Sequence, residues 1–125
     1  MAKGFQNRKR YERKIYNISS SERQENFCGE TSLTDLAELF RRADLFITVD
    51  TGATHIAATT GVKMVTMYGC TSPDRWHPIN KIAIALTSRE PCCPCTKKIC
   101  DEPRCLQNVT PAQVLDAAIR FLEAS

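Results

Sequence analysis

The run Leu45-Phe-Ile-Thr-Val49 passes without a gap into Asp50-Thr-Gly-Ala-Thr-His55, and this junction carries most of what the chain says about its architecture. Five apolar and β-branched residues in a row fit a short strand buried in a parallel sheet. Asp50-Thr51-Gly52 breaks the strand, and residues 54–60 read as a helix that stops at Gly61, a C′ glycine. Working outward, Met64–Tyr68 is a second strand, residues 69–80 a long loop, and Ile82–Leu86 a third strand. Upstream, Ser32-Leu-Thr-Asp35 is a capping box that opens a helix ending near Arg41-Arg42-Ala43. Its apolar stripe is Leu33, Leu36, Ala37, Leu39 and Phe40. Downstream, Thr110-Pro111 starts a last helix in N-cap and N1 style, with Val114, Leu115, Ala118, Ile119 and Leu122 expected to form its buried stripe. Helices alternating with short apolar strands predict an α/β fold, a parallel sheet flanked by helices in a partial Rossmann-like domain.

The chain has 125 residues. That is one domain at most and too short for a two-domain enzyme. Residues 1–25 carry seven basic and three acidic side chains, whereas residues 26–125 carry ten and eleven. The first 26 residues therefore read either as a basic, flexible arm or as an incomplete first element, with Lys14–Ile18 readable as a short strand, and residues 27–125 as the folded part. A near-neutral folded part disfavours a nucleic-acid protein. No apolar run reaches the ~20 residues of a membrane span and no signal-peptide core follows the basic start, which predicts a cytoplasmic, reducing setting.

In open α/β sheets, ligands bind at the carboxyl ends of the strands. Gly52 lets a ligand approach the backbone there, and the N–H groups at the start of the helix form an anion site the size of a pyrophosphate. His55 on the first turn adds a charge or a hydrogen bond. Gly69-Cys-Thr-Ser-Pro73 is a second loop at the same sheet edge and brings two hydroxyls, Thr71 and Ser72. The blander alternative is ordinary loop chemistry, with His55 bonded to a neighbouring carbonyl. Trp76 and His77 either face a sugar ring or anchor the loop, the latter being favoured. Cys28 and Cys70 read as small buried residues.

Cys28-Gly-Glu-Thr-Ser-Leu33, Ala43-Asp44 leading into Val49-Asp-Thr-Gly-Ala-Thr-His-Ile-Ala-Ala58, and Tyr68-Gly-Cys-Thr-Ser-Pro73 resemble the lipopolysaccharide heptosyltransferases. These form glycosyltransferase family 9 of the GT-B superfamily. The resemblance continues through Arg75-Trp76, Pro91-Cys92, Cys95 and Thr110-Pro-Ala-Gln-Val-Leu115, covers residues 27–122, and is nearest the heptosyltransferase II type. It implies the later part of a C-terminal donor domain that holds ADP-heptose, with transfer of heptose to an inner-core lipopolysaccharide acceptor. By the same resemblance, Asp50, Thr51, Gly52 and His55 line the donor's phosphates and sugar, with Thr71 and Ser72 nearby. The family's acceptor-binding domain, its first donor-domain strands and a basic residue for the phosphates have no counterpart here, and Cys70 stands where the family usually has proline. The expectation is a domain fragment without transferase activity of its own.

Cys92-x2-Cys95-x4-Cys100-x4-Cys105 is a four-thiolate spacing in a loop that spans residues 91–108, with Cys93 as an extra thiol. Four thiolates suit a structural zinc ion. Unligated thiols in a flexible loop, or oxidative disulfides, account for the same residues. The loop also supports a rival function, a small zinc-binding module contacting nucleic acid or protein through the loop and the basic arm. Against it, the loop lacks an aromatic residue for base stacking.

Overall fold

The computed structural model describes residues 25–78, 82–95 and 99–124. Thr31–Ser125 form one compact unit, and the residues ahead of it belong to another. Of that first unit, residues 25–30 are described: the Glu30 N–H donates to the Phe27 carbonyl at 3.1 Å, in a turn with Gly29 at φ 78°. Cys28 is exposed there, not buried as expected. Residues 1–24, which include the strand read at 14–18, lie outside the described residues.

The second unit runs α1 (Leu33–Arg42), β1 (Phe46–Val49), α2 (Gly52–Ala58), β2 (Met64–Tyr68), α3 (Pro73–Trp76), β3 (Ala83–Thr87), α4 (Arg104–Gln107) and α5 (Pro111–Glu123). Both long helices start on capping boxes. The Ser32 hydroxyl accepts from the Asp35 N–H and the Asp35 carboxylate accepts from the Ser32 N–H at 2.9 Å; Thr110 and Gln113 repeat the arrangement. The short helices α3 and α4 lie inside segments read as loops. Ser72-Pro73 is the N-cap and N1 pair that opens α3, so its signal was in the sequence.

The three strands pair in the order β1-β2-β3, all parallel. Phe46 lies opposite Met64 and Met64 opposite Ala83, so these residues share one face. That face meets α1 and α2 in a core of Phe40, Ala57, Val62 and Met64, with Leu36, Phe46, Ala53 and Ile56 packed against it. The Phe40 and Phe46 rings sit 4.4 Å apart between centroids. Gly61, at φ 83°, turns the chain from α2 towards β2 in a backbone region that L side chains resist.

Helix α5 packs on β2 with a different stripe from the expected one. Ala118 is buried and Val114, Ala117 and Phe121 are half-buried, whereas Leu115, Ile119 and Leu122 are exposed. The reason is composition. Apolar residues occupy nearly every side of this helix, and the two adjacent alanines mark the side that approaches the sheet. Lys63 fixes the far end by donating to the Phe121 carbonyl at 3.0 Å. Leu33, expected in the stripe of α1, is likewise exposed, because it is the first helical residue and precedes the turn that meets the core.

Candidate functional site

The carboxyl ends of β1 and β2 open on one cavity of about 440 Å³. Val49 and Asp50 bound it from β1, Met67, Gly69, Cys70 and Thr71 from β2, and the cysteine loop with α4 closes the other side. The closure reaches Gly69. A Cβ there would stand in ordinary van der Waals contact, 3.5 Å from the Leu106 Cβ and 3.6 Å from the Cys105 Sγ, so α4 lies directly against the end of β2. Ser88 donates to the Cys105 carbonyl at 2.8 Å, and the Cys95 N–H donates to the Cys70 carbonyl at 2.9 Å. The loop is thus pinned to the sheet at two places.

Six residues were expected at the strand ends, and the structure joins two of them directly. Thr71 donates its hydroxyl to the Asp50 carboxylate at 2.7 Å, and both residues line the cavity. Thr51, Gly52 and His55 stand at the exposed start of α2, outside the cavity wall. Thr51 is the N-cap of α2 but makes no side-chain cap bond, and a Cβ on Gly52 would meet nothing within 4 Å. The N–H groups of Gly52 and Ala53 open the helix, where no helical carbonyl can accept them. Thr54 holds this turn down from below: its buried hydroxyl donates to the Val49 carbonyl at 2.9 Å. Ser72 is the N-cap of α3, again without a side-chain cap bond.

His77 is an anchor. Its Nδ1 lies 3.1 Å from the Tyr68 hydroxyl and its Nε2 3.4 Å from the Ala83 carbonyl. A carbonyl only accepts, so Nε2 carries a proton, and in the neutral ring Nδ1 accepts from Tyr68. The end of the α3 loop is thereby fastened to β2 and β3. Burial pushes the Tyr68 phenol up to about 12, and the nearby Asp50 charge adds to the rise. Trp76 is exposed, with the Arg75 guanidinium 5.2 Å from its ring centre.

Sequence reasoning missed the far wall of the cavity. Glu102 and Arg104 pair with each other there, and Pro103 and Leu106 complete it. Cys70, expected to be buried filler, is half-buried on the cavity wall. Its place directly after Gly69 at the end of β2 was the available signal. Among the described residues, no three His, Cys, Asp or Glu side chains are arranged to hold a metal as they stand.

The model of glycosyltransferase family 9 (heptosyltransferase) matches residues 5–106. The chain belongs to this family. The match begins well before residue 27, so it takes in most of the segment set apart above as an arm, and it stops before α5. A lipooligosaccharide heptosyltransferase 2 of Campylobacter jejuni is 30% identical over 118 residues, which is 89% of this chain and 36% of that protein. Lipopolysaccharide heptosyltransferase 1 of Pseudomonas aeruginosa is 28% identical over 99 residues, 66% of this chain and 28% of that protein. The lipopolysaccharide core heptosyltransferase OpsX of Haemophilus influenzae is 35% identical over 57 residues, 46% of this chain and 16% of that protein. The chain spans about a third of the length of the first two of these relatives. No solved structure matches it significantly. Family 9 is a GT-B glycosyltransferase family, and the chain's parallel sheet with flanking helices is in keeping with that fold. No described helix is long and apolar enough to cross a membrane.

Proposed function

We propose that this chain is the later part of the donor-binding domain of a lipopolysaccharide heptosyltransferase of type II, and that it binds an ADP-sugar, ADP-heptose in the complete enzyme. The observation that carries this reading is the junction of the β1 and β2 loops through Thr71 and Asp50 beside the open start of α2. In this reading the diphosphate lies against the N–H groups of Gly52 and Ala53, where the positive end of the helix dipole favours anions. His55, on the first turn, hydrogen-bonds a phosphate oxygen, and the Thr51 and Ser72 hydroxyls, free of cap bonds, are donors of the same kind. Asp50 takes a different part of the ligand. Its carboxylate repels phosphate, and with one oxygen held by Thr71 it accepts a sugar hydroxyl.

For heptose transfer, an acceptor hydroxyl of the lipopolysaccharide core attacks the anomeric carbon and ADP departs. The donors at α2 stabilise the charge that develops on the leaving diphosphate. The acceptor side and its base belong to the rest of a full-length enzyme, so the isolated chain is expected to bind the donor without turning it over. The reading places the chain in the cytoplasm, a reducing compartment in keeping with seven unbridged cysteines. The test is an amide-resolved NMR titration of the chain with ADP at low salt. Shifts concentrated at Gly52–His55 and Thr71–Ser72 are expected. Shifts confined to other parts of the sheet, or none, overturn the reading.

A further inference from the structure

Trp76 is the chain's only tryptophan, and it is 45% exposed. One exposed apolar side chain means little by itself. Trp76 differs in how its backbone is held and in what surrounds its ring. Helix α3 is a single turn, yet both of its ends are fixed. The Ser72 carbonyl accepts from the Arg75 and Trp76 N–H groups at 3.2 and 3.1 Å. The His77 N–H donates to the Pro73 carbonyl at 2.8 Å, and the His77 ring is clamped between Tyr68 and Ala83. Pro78, directly after it, is buried. The turn is thus fastened to β2 and β3 while Asp74, Arg75 and Trp76 stand exposed on it. Such a surface is preorganised, so a ligand need not order it first.

The groups on this turn are complementary to one class of ligand. The indole offers an apolar face and an N–H donor that has no partner among the described residues. Arg75 lies 5.2 Å from the ring centre and makes no ion pair among the described residues, whereas Arg41, Arg42, Arg104 and Arg120 each pair with a carboxylate. Asp74 adds an acceptor. An aromatic plane with separate donors and an acceptor around it suits a saccharide, whose C–H face packs on the ring while its hydroxyls bond at the edge. The unpaired guanidinium adds a preference for an anionic substituent, which its fork holds through two N–H···O bonds.

Other occupants fit less well. Trp76 is the only large apolar side chain exposed between residues 71 and 78, and a protein interface surrounds its anchor with more of them. An anionic membrane surface would repel Asp74. We infer that the Trp76–Arg75 face binds a saccharide carrying a phosphate or carboxylate group, on the acceptor side of the donor sugar. Ser72 joins this turn to the Thr71–Asp50 pair, so the face stands at the edge of the proposed donor site without being part of it. The acceptor role rests on that proposed site. The binding of an anionic saccharide does not.

With a single tryptophan, fluorescence reports on this face alone. The full chain is titrated with mannose 6-phosphate and with glucuronate, and in separate arms with mannose, inorganic phosphate and phosphatidylglycerol vesicles. A saturable change with an anionic sugar is expected, with mannose binding about tenfold more weakly, as loss of a charged hydrogen bond implies. Arg75→Gln should bring the anionic sugar down to the affinity of mannose and leave mannose unchanged. On the unmutated chain, NMR cross-peaks between the indole protons and the sugar's C–H protons give the same answer without any variant. Silence towards both anionic sugars, an equal response to inorganic phosphate, or a response to the vesicles alone overturns the inference. Adding ADP separates the two sites. Amide shifts at Gly52–His55 test the donor site, and the tryptophan signal tests this face, so either can fail while the other stands.

Discussion

The Thr71 hydroxyl donates to the Asp50 carboxylate at 2.7 Å and ties the loop after β2 to the loop after β1, twenty-one residues away in sequence. Both residues are half-buried, so water competes only partly for the bond. Thr71→Val keeps the shape and removes the donor. It should cost about 1 kcal/mol, typical of one hydrogen bond, and Thr71→Ser should cost much less. Urea denaturation of the three chains measures this. A loss for Ser with none for Val would show that the methyl group, not the hydroxyl, is what matters. If the loops act together on the donor, Thr71→Val also weakens ADP binding.

Tyr68 makes the protein sensitive to alkali. Its phenol is pushed up to about 12 in the folded chain, from an ordinary value of 10.0, first by burial and then by Asp50. An acid whose folded value is raised keeps its proton while the unfolded chain loses it. Its stabilising contribution is therefore complete below pH 10 and is lost as the pH rises from 10 towards 12. Denaturation midpoints across that window should fall more steeply for the native chain than for Tyr68→Phe. In Asp50→Asn the tyrosinate absorbance should appear at lower pH, with only a partial shift, because the charge is the smaller cause.

The strands were legible because each is an apolar run bounded by polar or glycine breaks. Met64–Tyr68 was located to the residue, and Phe46–Val49 and Ala83–Thr87 to within one. The capping box of Ser32 with Asp35 and the Thr110-Pro111 start of α5 were equally plain, being local signals, although the return bond from Gln113 to Thr110 was not read. The buried side of α5 was not legible. Val114, Leu115, Ala117, Ala118, Ile119, Phe121 and Leu122 leave little polar contrast to point at the sheet. The site divides in the same way. Asp50 and Thr71 announce themselves by position at strand ends, whereas the wall of Glu102, Arg104 and Cys70 depends on tertiary closure over Gly69. Spacing within a loop carries no information about a partner thirty residues upstream.

The orientation of α5 can be checked by stability alone. Leu115 and Ile119 are exposed, so Leu115→Ala and Ile119→Ala should each change stability by no more than about 0.5 kcal/mol. Ala118 is buried against the sheet, and Ala118→Leu should overpack that contact and cost about 1–3 kcal/mol. Thermal denaturation with the reverse ranking would put the helix on its other face.

Gly52 separates binding from folding. A Cβ at this position meets nothing, so Gly52→Ala should fold as well as the native chain or slightly better, given the helix preference of alanine. The added methyl group projects into the space before the helix where the diphosphate is proposed to lie. Weaker ADP binding with undiminished stability is the expected pair of results, read by calorimetry and thermal denaturation. Unchanged affinity would move the diphosphate away from this backbone.

Thr66 offers a gain in stability. It sits in the middle of β2, fully buried, and its hydroxyl finds no hydrogen-bond partner among the described residues. An unpaired buried hydroxyl costs on the order of 1–3 kcal/mol in desolvation. Valine has the same branched shape and no polar atom, so nothing must move to receive it. Thr48 and Ala85 flank Thr66 across the sheet, and Met64 and Tyr68 share its face on the same strand, so the replacement methyl enters a layer with one neighbouring hydroxyl and otherwise mostly apolar groups. Thr66→Val should therefore stabilise the chain by about 1 kcal/mol, seen as a higher denaturation midpoint at unchanged slope. A loss of stability would mean that the hydroxyl has a partner, such as a buried water, whose bond outweighs the cost of burying it.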